Sequence, residues 1–99
     1  MYSYFSPVIL KALGADKIID NGSGTLYVCT KDDSKIQMVN GTRATDAEVE
    51  TQEVWQIKQV AETTDASGNT VTTIKYPYGR TTFSFSVDQI SSYNFEYRR

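Results

Sequence analysis

Two runs decide the fold: Val54-Trp55-Gln56-Ile57-Lys58-Gln59-Val60 and Thr70-Val71-Thr72-Thr73-Ile74-Lys75-Tyr76. Both are rich in β-branched and aromatic residues, which suit a pleated, half-buried surface. Between them, Asp65-Ala66-Ser67-Gly68-Asn69 has the composition of a hairpin loop. Trp55 and Ile57 share one face and Val60 falls on the opposite phase, so the spacing predicts either a bulge near Lys58-Gln59 or burial of both faces. Downstream, Pro77-Tyr78-Gly79 reads as a tight turn with proline at its first central position. Thr81, Phe83, Phe85 and Val87 alternate with Thr82, Ser84 and Ser86, and Tyr93, Phe95 and Tyr97 alternate with Asn94, Glu96 and Arg98. That is the two-residue period of strands. Four such strands joined by short loops predict an antiparallel meander. Its inner face is expected to carry Trp55, Ile57, Ile74, Tyr76, Phe83, Phe85, Tyr93, Phe95 and Tyr97.

Upstream the signal is also β. Lys35-Ile36-Gln37-Met38-Val39 reads as a strand running into Asn40-Gly41, a strong hairpin signal. Thr25-Leu26-Tyr27-Val28-Cys29-Thr30 is a strand between two polar turns, and Lys17-Ile18-Ile19-Asp20 is a short apolar run before them. Residues 42–52 admit two readings. Thr45-Asp46-Ala47-Glu48 fits a capping box, while alternation of acids with Ala47, Val49 and Thr51 fits an exposed strand; an extended or irregular edge is the preferred reading. Ser6 as N-cap, Pro7 at the first helical position and Gly14 as terminator predict a two-turn helix over 7–13. Residues 1–6 hold three aromatics and no charge, so they are expected to form an edge strand or lie on another subunit. The expected architecture is a single domain over 1–99: aromatic arm 1–6, short helix 7–13, and a β domain 17–99 forming a small antiparallel barrel or sandwich.

Composition excludes several functions. The 99 residues contain no His, which removes the usual imidazole base and the commonest metal ligand. One cysteine, Cys29, permits no disulfide within the chain. No apolar run approaches the ~18 residues of a membrane span, and no secretory leader is expected from these residues. A net charge of −2 offers no basic face for nucleic acid. Apolar residues make up 39% of the chain, a thin share for a domain of this size, where about 45–50% is usual with glycine counted and tyrosine left out. Such a core gains from oligomeric contacts.

The candidate sites read mostly as structure. The sequons Asn21-Gly22-Ser23 and Asn40-Gly41-Thr42 are better explained by turns that need positive φ. Gly22-Ser23-Gly24 lacks the strand-to-helix setting of a phosphate loop, and residues 65–69 lack the ligand spacing of a calcium loop. Cys29 has no base beside it in sequence and reads as a buried thiol. The twelve aromatics serve core and protein interfaces. Interface candidates are Tyr2, Tyr4, Phe5, Tyr78, Arg98 and Arg99. No catalytic, cofactor-binding or metal-ligating residue is assigned.

Trp55-Gln56-Ile57-Lys58, then Tyr76-Pro77-Tyr78-Gly79, then Phe83-Ser84-Phe85, then Tyr93-Asn94-Phe95-Glu96-Tyr97 resembles a pattern in small virion structural proteins of tailed bacteriophages. Val87-Asp88-Gln89 stands where a second Trp is often seen, and the N-terminal half is not covered by the pattern. The resemblance implies a virion component without saying which one. Taken with the composition, the expected function is that of a non-enzymatic structural subunit, a head decoration, head-closure or tail-connector protein. It would contact other virion proteins and itself in a symmetric assembly, with no nucleic acid, membrane or cofactor involved. The alternative is a small phage-encoded inhibitor or regulator that binds one host protein.

Overall fold

The computed structural model describes residues 14–99, so the expected arm at 1–6 and helix at 7–13 lie outside the described residues. Five strands, β1 (Lys17–Asp20), β2 (Thr25–Lys31), β3 (Trp55–Thr64), β4 (Thr70–Pro77) and β5 (Phe95–Glu96), form one antiparallel sheet in sequence order. The described chain is mostly β, with one short α-helix, α1 (Asp46–Val49), and 3-10 turns at Asp33–Lys35 and Val87–Ser92. The sheet is open. The expected barrel or sandwich is not formed among the described residues.

The register explains where the core sits. Cys29 pairs with Ile57 and Leu26 with Val60 across β2 and β3, with no interruption from Thr25↔Ala61 to Lys31↔Trp55. Of the two readings of Val60, burial of both faces holds, and there is no bulge. One face carries Cys29, Trp55 and Ile57, which pack with Val49, Val54, Phe85 and Val87. The other carries Leu26, Val28 and Val60, with Ala15 and Ile18 against them. Ile57 and Cys29 are fully buried. Burying one such aliphatic side chain stabilises by roughly 1.5–3 kcal/mol.

Several expectations are corrected. Gln59↔Lys75 is the first pair of β3 with β4, so β4 does not extend alongside Trp55. That place beside β3 is taken by Phe85, which exchanges backbone hydrogen bonds with Trp55 at 2.9 and 3.1 Å. The strand expected over 81–87 is therefore reduced to this single bridge, followed at once by a 3-10 turn. Ile74 pairs with Val60 on the second face and is 47% exposed, and Tyr97 is 61% exposed, so neither joins the inner face assigned to it. Tyr76 shares the face of Ile74 by the strand alternation. Residues 46–49 are helix rather than edge strand. The Glu48 N–H donates to Thr45 Oγ1 at 3.2 Å and the Thr45 N–H to Glu48 Oε1 at 2.8 Å, a complete capping box. Val49 is the buried residue of α1, and its carbonyl accepts the Trp55 indole N–H at 3.0 Å. The Asn40-Gly41 turn is present, with φ of +53° and +77°, but it closes one Val39↔Thr42 bridge rather than a strand over 35–39.

Candidate interaction site

The turn after β4 builds the site. Gly79 N–H donates to Tyr76 O at 3.0 Å and Arg80 N–H to Pro77 O at 2.9 Å, which closes the chain around Pro77 and Tyr78. Tyr78 sits at φ +54°, in the left-handed region that a bulky side chain rarely occupies. Its amide donates to Asn94 O at 2.7 Å, which ties the turn to the segment entering β5. Strain of this kind, of order 1–3 kcal/mol, persists only where surroundings hold it. Here an aromatic group does so. The Tyr78 ring lies 6.4 Å from Phe85 and 6.2 Å from Tyr93, and Phe85 and Tyr93 meet edge-on at 5.1 Å. Tyr93 is fixed in turn, because its hydroxyl accepts the buried Ser86 N–H at 2.9 Å.

Tyr78 is 43% exposed and forms the rim of a cleft of about 550 Å³, lined also by Gly79, Arg80, Thr82, Glu96 and Arg99. The C-terminal residues reach this cleft by turning back, with Arg99 N–H donating to Gly79 O at 3.1 Å. Arg99 pairs with Glu96, whose other oxygen accepts from Asn94 Nδ2 at 2.9 Å. The Glu96 carboxylate holds the Arg99 guanidinium charged, above its ordinary value. The arrangement offers an aromatic surface beside guanidinium donors. That suits carboxylates and backbone carbonyls of another protein.

Of the residues proposed from sequence, Tyr78 and Arg99 come together here, while Arg98 is exposed and does not line the cleft. Tyr2, Tyr4 and Phe5 lie outside the described residues. Arg80, Thr82 and Glu96 were missed. Nothing local signals the Glu96–Arg99 pairing, because a three-residue spacing brings side chains together on a helix and not along a strand. A second, broader hollow of about 690 Å³ is lined by Lys35, Met38, Gln52, Asp88 and Gln89. The Gln52 side chain clasps the Gln37 backbone there, accepting its N–H at Oε1 (2.7 Å) and donating from Nε2 to its carbonyl (2.9 Å).

Reactive groups elsewhere are engaged in structure. Burial pushes the Cys29 thiol up to about 12, with Lys17 lowering it and Glu50 raising it by smaller amounts. The Asp65 carboxylate accepts the backbone N–H groups of Asn69 and Ser67, which hold it below its usual range and form the loop that faintly resembled a calcium site. Asn21 Oδ1 accepts from Ser23 N and Oγ within its own turn. Among the described residues no three His, Cys, Asp or Glu side chains gather to hold a metal, and no helix is long and apolar enough to cross a membrane. Compared with protein-family models, curated proteins and solved structures, the chain matches none.

Proposed function

We propose that this chain is a non-enzymatic structural subunit of a tailed-bacteriophage particle, acting by protein–protein contact as a head decoration, head-closure or tail-connector component. The observation that carries the reading is the packing of the residues that bear the resemblance. The rings of Phe85, Tyr93 and Tyr78 form one connected unit around a strained turn, and Phe85 bridges to the backbone of Trp55. That unit supports a rigid module that presents Tyr78 and Arg99 outward. The reading assigns Tyr78, Arg98 and Arg99, with Tyr2, Tyr4 and Phe5 outside the described residues, to contacts with neighbouring subunits. The test is quantitative mass spectrometry of particles purified from the phage that encodes the chain. Copies at a multiple of the particle symmetry are expected. Absence from particles, with capture of one host protein by the tagged chain, overturns the reading in favour of a host-directed inhibitor.

A further inference from the structure

We propose that the outer edge of β4, residues 70–74, pairs with the same edge of a second copy of this chain in antiparallel fashion about a two-fold axis through Thr72. This deepens the assembly reading by naming a surface. It rests on backbone geometry and is tested in solution, so absence from particles leaves it standing.

Hydrogen-bond parity defines the edge. Glu62 N–H reaches Gly24 O on the β2 side of β3, while Trp55 bonds Phe85 on the opposite side. By the two-residue alternation, Ala61 and Thr63 bond towards β4, so their partners Thr73 and Val71 face β3. The backbone groups of Thr70, Thr72 and Ile74 therefore point outward. β5 pairs only with Tyr76 and Pro77. The tail beyond it returns to Gly79 through the Arg99 bond, and among the described residues nothing covers residues 70–74. Thr70, Thr72 and Ile74 are exposed, in line with an open edge.

The two edges of the sheet are treated differently. β1 is four residues long and carries Lys17 and Asp20, the short and charged design that discourages pairing. The β4 stretch Thr70-Val71-Thr72-Thr73-Ile74 is five β-branched residues with no charge, proline or bulge. It is self-complementary in the antiparallel sense. About Thr72, Thr70 meets Ile74 of the second copy, Val71 meets Thr73, and Thr72 meets itself. No like charges oppose. This register also pairs each copy's three outward residues with the other's and satisfies all their backbone groups. A register displaced by one residue sets outward groups against inward ones. A contact of one edge is smaller than the about 1,200–2,000 Å² of a stable interface, so the dimer is concentration-dependent, with a Kd on the order of 100 µM.

The experiment is sedimentation velocity on the full chain from ~10 µM to ~1 mM, with crosslinking of variants that each add one exposed cysteine to the buried Cys29. Thr72→Lys sets two ammonium groups opposite each other and is expected to weaken association at least tenfold. Thr72→Pro removes an outward N–H without removing a bond to β3, and is a second variant if the first misfolds. Hydrogen-bonded residues directly opposite have Cα atoms about 5.5 Å apart, within disulfide reach. Thr72→Cys is thus expected to form a disulfide dimer on oxidation, and Thr70→Cys, which faces Ile74, to form markedly less. A monomer throughout the range, a dimer indifferent to both Thr72 variants, or equal crosslinking at the two positions overturns the proposal.

Discussion

Gly79→Ala is a sharp probe of the interaction site. Gly79 sits at φ +72°, where a residue with a Cβ loses about 1–2 kcal/mol. The added Cβ would also lie 2.7 Å from Tyr97 O and 2.7 Å from Arg99 Cγ. The arginine stem can swing away, but the carbonyl is backbone, so the returning tail must lift. Lifting it breaks the 3.1 Å bond from Arg99 N–H to Gly79 O, worth about 0.5–1.5 kcal/mol net. The full chain should lose about 2–3 kcal/mol, a urea midpoint lower by about 2–3 M if m is near 1 kcal/mol/M. In a chain lacking residues 97–99 only the backbone cost remains, so the same substitution should lose about 1–2 kcal/mol. The double-mutant cycle then gives a coupling near 1 kcal/mol between position 79 and the tail. Equal losses in the two chains would refute the packing of the tail against this turn.

Other perturbations test other parts of the fold. Tyr93→Phe leaves the buried Ser86 N–H without its acceptor and should cost about 1–3 kcal/mol by chemical denaturation; a neutral result would mean that this hydroxyl does not anchor the aromatic unit. Thr45→Ala removes the cap of α1 and should cost about 1 kcal/mol in the same assay. Its effect should shrink in Trp55→Phe, which lacks the indole donor to Val49 O. The folded-state pKa of Cys29 is raised to about 12 from an ordinary 9.0, so its contribution is intact below pH 9 and is lost as pH rises towards 12. Cys29→Ala should flatten the alkaline decline in stability relative to the parent, and thiol reagents should label the parent only as it unfolds.

The β3–β4 hairpin was legible because both strands carry β-branched runs around a polar loop. Its register was not. A shift of one residue moves a side chain to the other face, and the Ala61↔Thr73 pairing puts Ile74 opposite Val60 rather than beside Ile57. Residues 42–52 carried two valid local patterns, and the choice lies in a contact the pattern does not contain, the Trp55 indole on the Val49 carbonyl. Residues 81–87 alternate like a strand, but only Phe85 forms a backbone bridge with β3. At the interaction site, Tyr78 was marked by its turn and Arg99 by its terminal place. Their convergence depends on the chain reversing after β5, a long-range event with no local signature.

Leu26 and Tyr27 are neighbours in sequence, yet they belong to opposite apolar clusters separated by the thickness of one strand. The β2–β3 ladder is therefore shielded above and below, while β4 beyond Lys75 and the short β5 are held by few bonds. Amide exchange in such a sheet is graded. Protons on Leu26, Val28, Lys58 and Val60, which face one another in the β2–β3 ladder, are expected to exchange slowest, and those of β5 fastest through local fraying. The central strand pair thus sets the lifetime of the folded chain, and the Trp55–Phe85 bridge ties the aromatic turn to it.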